Sequence, residues 1–319
     1  MSYRGMLSRL AESLYWMGRY IERADDTARI LDAYIHRVVE DPSSDVDHAV
    51  RVLMSIMGIV GAEDREMTTE HALEVIAYDR ENPSAIMGSF AGAFENARRS
   101  RDVISSELWI AMNATMVRLP QVQSTSELLG PSTFLEFIRE RAALMSGLAD
   151  STMSRDDGWR FFSLGRSIER VDMTARLLST RVVGADSTAD WMAFLRASGA
   201  MESFMRYARD LHDPNGIAGF LLIDEIFPRS VLYSLHEADE RLVELSPGTS
   251  SMSVAVEATR LHLLQASQTL HSFDRADVLA QLGEILEMLE STCFRVNDEI
   301  AERFFHRDLT VAWSLEGSL

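Results

Sequence analysis

Arginine and carboxylate side chains recur at the same spacing in two places along this chain. Gly18-Arg19-Tyr20-Ile21-Glu22-Arg23-Ala24-Asp25-Asp26-Thr27-Ala28-Arg29-Ile30-Leu31 returns 147 residues later as Gly165-Arg166-Ser167-Ile168-Glu169-Arg170-Val171-Asp172-Met173-Thr174-Ala175-Arg176-Leu177-Leu178. Ten of the fourteen positions are identical, in the pattern G-R-x-I-E-R-x-D-x-T-A-R-x-L. A guanidinium presents a planar fork of donors that suits a carboxylate or a phosphate. A glutamate held beside such forks could orient them, or could take a proton from a bound substrate as a general base. Arg19, Glu22, Arg23, Asp25 and Arg29, with Arg166, Glu169, Arg170, Asp172 and Arg176, are therefore the candidate ligand- or partner-binding set. Glu22 and Glu169 are the candidate catalytic carboxylates.

On a helix turning about 100° per residue, Gly18, Glu22, Asp25 and Arg29 fall on one side, while Ile21, Ala24 and Ala28 fall on the other. Two constraints would keep charged residues at the same positions in both copies. One is an ion-pair lattice locking two motif helices together, with Gly18 and Gly165 permitting close approach. The other is a central polar cleft in which arginines grip carboxylates or phosphates.

The elements that must carry this set read as helices throughout. Leu14, Met17, Ile21, Ala24, Ala28 and Leu31 step by three and four, which is the stripe of a helix facing a bundle core. With 7 prolines and 17 glycines in 319 residues, and apolar spacing of three and four rather than two, the chain is all-α. The first helix is predicted from about residue 5 to 40, stopped by residues 41–44. Others are expected near 46–57, with Gly58 and Gly61 at the exit, from 86 to 118 ahead of Pro120, from 132 to 151, from 159 through the second motif, and from 275 to 305. Asp79 and Pro83 are echoed by Asp224 and Pro228, and Asp47-His48 by Asp190-Trp191, in the same order after each motif. These echoes predict an internally duplicated helical bundle of two pseudo-symmetric halves, 1–152 and 153–319, sharing one core. Residues 246–251 form the one stretch with linker character, and it lies inside the second half.

Composition closes several routes. The net charge of −18 opposes nucleic acid and anionic membranes as partners. No lysine occurs among the 31 basic residues, which removes Schiff-base, pyridoxal and P-loop lysines at once. The single cysteine, Cys293, excludes an intramolecular disulfide and reads as packing. The eight histidines show no H-E-x-x-H or E-x-x-H spacing, and no glycine-rich nucleotide loop or G-x-S-x-G elbow is present, so neither a metal nor a cofactor is assigned. No signal-type start and no run of about 20 apolar residues appears, which predicts a cytoplasmic protein without membrane contact. Two further arginines join the candidates. Arg98 shares a helical face with Glu95 and Asp102, and Arg229, in Phe227-Pro228-Arg229-Ser230, is expected in the first turn of a helix, where an anion is favoured.

Together, the motif from Gly18 to Leu31, the segment Glu95-Asn96-Ala97-Arg98, Trp109, and the segment Phe227 to Val231 resemble the bacterial alpha-E family, over nearly the whole chain. The resemblance implies an all-helical fold and a setting beside a circularly permuted ATP-grasp ligase and a transglutaminase-like protein, in making or modifying a peptide. It implies no activity for the alpha-E component itself. The expectation is an accessory component binding the ligase or an acidic peptide through the central Arg/Glu cleft. The alternatives are an enzyme of the same pathway with Glu22 or Glu169 as base, or a plain helical scaffold.

Overall fold

The computed structural model describes residues 6–40, 45–59, 67–183, 188–208, 210–246, 250–275 and 277–305. The described residues form thirteen α-helices and no strand. The first long helix, α1, runs Ser8–Glu40, followed by α2 at Val46–Ile56 and α3 at Thr69–Ala72, which continues into a π-helical turn over Leu73–Tyr78. Next come α4 (Ile86–Arg99), α5 (Ser106–Leu129) and α6 (Ser132–Thr152). The second motif lies on α7 (Asp157–Val183), which precedes α8 (Thr188–Ala197), α9 (Met201–Met205), α10 (Pro214–Ile223) and α11 (Val231–Glu244). The described chain ends with α12 (Ser250–Ser272), α13 (Leu282–Ile300) and a π-helical turn over Ala301–Phe305. Of the expected punctuation, residues 41–44, Gly61 and 247–249 lie outside the described residues.

Helix α1 is the axis of the molecule. Its stripe Leu14, Met17, Ile21, Ala24, Ala28 and Leu31 is fully buried, as periodicity predicts. Its charged side is buried too, because Arg19 and Glu22 pair with α7, and Asp25 and Asp26 with Arg229 ahead of α11, rather than facing solvent. Around this pair, α1 packs on α4, α6 and α8, while α7 packs on α11 and α13. Helix α5 lies on α6, and α12 lies between α11 and α13. One connected apolar core runs from Ala11 to Ile300.

Local chemistry sets the helix starts. Ser105 caps α5 by accepting from the Leu108 N–H at 3.1 Å, and Ser230 caps α11 by accepting from Tyr233 at 3.1 Å. Asp213 accepts from Asn215 and Gly216, and Pro214 opens α10 where its missing N–H costs nothing.

The single helix expected over 86–118 is corrected to two. Ser100 ends α4, its hydroxyl donating to the Asn96 carbonyl at 2.7 Å, and Ser105 restarts the chain as a cap six residues after Arg99. Pro120 does not end α5 but sits inside it. Leu108, Met112 and Thr115 before the proline, and Ser126 after it, are all buried. That packing, which includes α6, outweighs the loss of one backbone donor, worth about 3 kcal/mol in a helix interior.

Candidate functional site

The two motif helices meet through their glycines. A Cβ added at Gly18 would lie 2.1 Å from the Phe162 carbonyl oxygen of α7, and one at Gly165 would lie 2.1 Å from the Tyr15 carbonyl oxygen of α1. Only a residue without a side chain lets backbone approach backbone in this way.

Close approach brings the charged sides into reciprocal contact. Arg19 Nε donates to Glu169 Oε2 and Arg23 Nε to Glu169 Oε1, both at 2.5 Å. In the opposite direction Arg170 Nε donates to Glu22 Oε1 at 2.6 Å, and Arg166 Nε stands 3.6 Å from Glu22 Oε2. Within each Glu-Arg dipeptide the two side chains diverge by about 100°. Each therefore pairs across the helix contact, the glutamate with guanidinium groups of the other helix and the arginine with its glutamate. Arg23 and Arg170 also reach the carbonyls of Pro83 and Pro228 at 3.4 and 3.3 Å. Asp79 and Asp224 shape those loops by accepting from backbone N–H groups two and three residues ahead.

The copies then differ. Arg229 stands just before Ser230, the cap of α11, rather than in the first helical turn expected. It donates to Asp25 and Asp26 and lies 3.1 Å from Glu22. The carboxylates of Glu22, Asp25 and Asp26 are close enough together to hold a metal ion, and the Arg229 guanidinium supplies their positive partner. At the corresponding positions of the other copy stand Ser84 in place of Arg229 and Met173 in place of Asp26.

Electrostatics follow from this pairing. Burial drives the Glu22 carboxyl upward, but Arg170, Arg229 and Arg166 outweigh it and hold its pKa at about 2. Glu169 is likewise held at about 2 against its burial by Arg19 and Arg23. Asp26 goes the other way, to about 7, because burial together with the Glu22 and Asp25 charges exceeds the pull of Arg229. Both glutamates have folded values below the ordinary 4.5, so their stabilisation is present above that pH and is lost as pH falls toward about 2. Asp26 has a raised folded value, so its contribution is present below 3.8 and is lost as pH rises to about 7. We therefore expect the melting temperature to peak near pH 4.5 and to fall from there to about pH 7, and Asp26→Asn to flatten that fall. A melting temperature still rising through pH 8 in the parent chain would contradict the assignment.

Of the residues singled out in the sequence, Arg19, Glu22, Arg23, Asp25, Arg29, Arg166, Glu169, Arg170, Asp172, Arg176 and Arg229 converge here. Arg29 and Arg176 pair with Asp25 and Asp172 on their own helices, both at 3.0 Å. Arg98 does not join them. It is exposed and forms a bidentate pair with Glu95, one turn back on α4. The sequence reading passed over Asp26, Asp150, Arg155, Trp159, Ser163, Ser167 and Tyr233, which lie in or around this network. The signal lay in the mismatches between the two copies rather than in their identities.

The Alpha-E family pattern, described as a predicted alpha-helical domain with a conserved ER motif, matches residues 6–305. The chain belongs to the Alpha-E family. Uncharacterised proteins of Mycobacterium bovis and Mycobacterium tuberculosis are 26% identical to it over 321 residues, covering 91% of this chain and 36% of each relative. The Alpha-E chain thus spans about a third of the length of the curated relatives it matches. No solved structure matches it. No helix among its described residues is long and apolar enough to cross a membrane. In this Alpha-E chain, Glu22-Arg23 and Glu169-Arg170 cross-link two helices, whereas Glu240 and Arg241 bond to each other.

Proposed function

We propose that this Alpha-E chain is an accessory binding component of a cytoplasmic ATP-grasp peptide-ligase or peptide-modification system, docking the ligase or holding an acidic peptide. One observation carries the binding part. Around the α1–α7 contact seven arginines, Arg19, Arg23, Arg29, Arg166, Arg170, Arg176 and Arg229, face six carboxylates, Glu22, Asp25, Asp26, Asp150, Glu169 and Asp172. An excess of guanidinium at the centre of a chain of charge −18 attracts a ligand that brings its own carboxylates. The setting beside a circularly permuted ATP-grasp ligase and a transglutaminase-like protein rests on the family resemblance. Glu22 and Glu169 are buried and held ionised at about 2, far from the neutral range that suits a general base, which argues against the enzyme alternative.

The same reading treats the chain as two similar helical halves, 1–152 and 153–319. In its favour, α6 packs on α1 as α13 packs on α7, and α4 and α11 are each 14 residues long and follow the same Asp-to-Pro loop.

The test is affinity purification of the tagged chain from its own cells, with Arg155→Ala as the probe and exposed Arg98→Ala as the control. An ATP-grasp ligase or transglutaminase-like protein should co-purify with the parent and the control, and less with Arg155→Ala. Recovery of neither enzyme with the well-folded parent would overturn the accessory reading.

A further inference from the structure

The two copies of the motif differ in what stands beside their arginines. Trp16 and Tyr20 of α1 correspond to Ser163 and Ser167 of α7, at the same offset as the charged motif. In the first copy the rings cover the arginines, with Arg19 5.4 Å from the Trp16 ring and Arg23 5.5 Å from the Tyr20 ring. Tyr20 has room because α4 carries Gly92 there, where a Cβ would come within 2.9 Å of its ring. In the second copy both rings are replaced by serines, and the position matching Gly92 on α11 is Glu237. The result is a cleft of about 410 Å³ beside Arg166 and Arg170, within the roughly 300–1,000 Å³ of small-ligand sites.

Its walls carry charges of both signs. Arg155, Arg166 and Arg170 line it together with the Ser163, Ser167 and Tyr233 hydroxyls. The buried Arg166 Nε makes no hydrogen bond. Asp150 and Glu237 supply negative charge to the same cleft. Asp150 accepts from Arg166 Nη1 at 3.2 Å and from the Trp159 indole N–H at 3.0 Å and lies 3.8 Å from Arg155 Nη1, pairs that a bound carboxylate would share, and Arg155 stacks 3.8 Å from the Trp159 ring centroid.

We infer that this cleft binds a short acidic peptide, with its carboxylates on the arginines and hydroxyls and its ammonium or amide N–H groups on Asp150 and Glu237. Inorganic phosphate matches only half of this lining, since the two carboxylates repel it and it has no cationic end to offer them. The inference rests on the binding reading above and narrows it to one copy and one ligand class.

The test is isothermal titration calorimetry of the full chain with triglutamate, trilysine and inorganic phosphate. Triglutamate should bind saturably and more tightly than either comparator. Arg155→Ala, at a half-exposed position, should weaken it roughly tenfold. The transplant Ser163→Trp/Ser167→Tyr/Glu237→Gly restores the filling of the first copy and leaves every arginine in place. It should abolish binding while circular dichroism stays unchanged. A second filling variant, Ser163→Trp alone, gives the same reading if the triple variant does not fold. Absence of saturable triglutamate binding at 10 mM, equal binding by the filled variants, or tighter binding of phosphate would each overturn the inference. None of these outcomes bears on whether a ligase co-purifies, so the two readings fail separately.

Discussion

Gly18→Ala should destabilise the folded chain by about 3 kcal/mol or more, and Gly165→Ala by a similar amount. Intrinsic preference predicts the opposite sign, since alanine is favoured over glycine in a helix interior by about 1 kcal/mol. Sterics win here. Each new methyl would meet a backbone carbonyl oxygen at 2.1 Å, and backbone cannot move aside as a flexible side chain can. Relief requires α1 and α7 to separate, which lengthens the Arg19–Glu169 and Arg170–Glu22 pairs together. Gly147, with nothing within 4 Å of its added Cβ, is the internal control and should be neutral or stabilised as alanine. Urea midpoints of the three variants decide the matter. A midpoint for Gly18→Ala or Gly165→Ala at or above the parent value would refute the close-contact account.

The second large effect is a rescue. Arg229→Ser should cost on the order of 3–5 kcal/mol, because it leaves Glu22, Asp25 and Asp26 buried with one cation fewer. Adding Asp26→Met should recover most of that loss. The combination of serine and methionine already stands at the matching positions, Ser84 and Met173, beside Glu169 and Asp172. The paired change therefore copies an arrangement this chain tolerates. A double-mutant cycle measured by denaturation should give a coupling of about 1–3 kcal/mol. Additive costs would mean that Arg229 is held by its surroundings rather than by Asp26.

Several features were legible because they depend on neighbours along the chain. Steps of three and four residues mark a helix stripe wherever it is buried, so α1 could be drawn from the apolar pattern, and α7 followed from the repeat of its motif. The repeated Gly, Glu and Arg positions identified the residues that meet. The break between α4 and α5 was missed because Ser100 and Ser105 act through their own backbone hydrogen bonds, a signal weaker than the apolar run passing across them. Arg98 was drawn into the candidate set by its type, yet its partner Glu95 lies three residues away and the pair faces solvent.

The sequence by itself determined the helical class, the repeat and the identity of the arginines and carboxylates. It left both the lattice and the cleft open, because a helical wheel assigns a face but not what that face meets. Only the tertiary structure decided that the charged side of α1 lies against α7, that Glu22 and Glu169 are shared out across the contact, and that Trp16 and Tyr20 stack by the arginines of one copy where serines and a cleft stand in the other. The physical reason is distance along the chain. Arg19 and Glu169 are 150 residues apart, so their pairing exists only once two glycines let the helices close and every buried charge finds its counterion there.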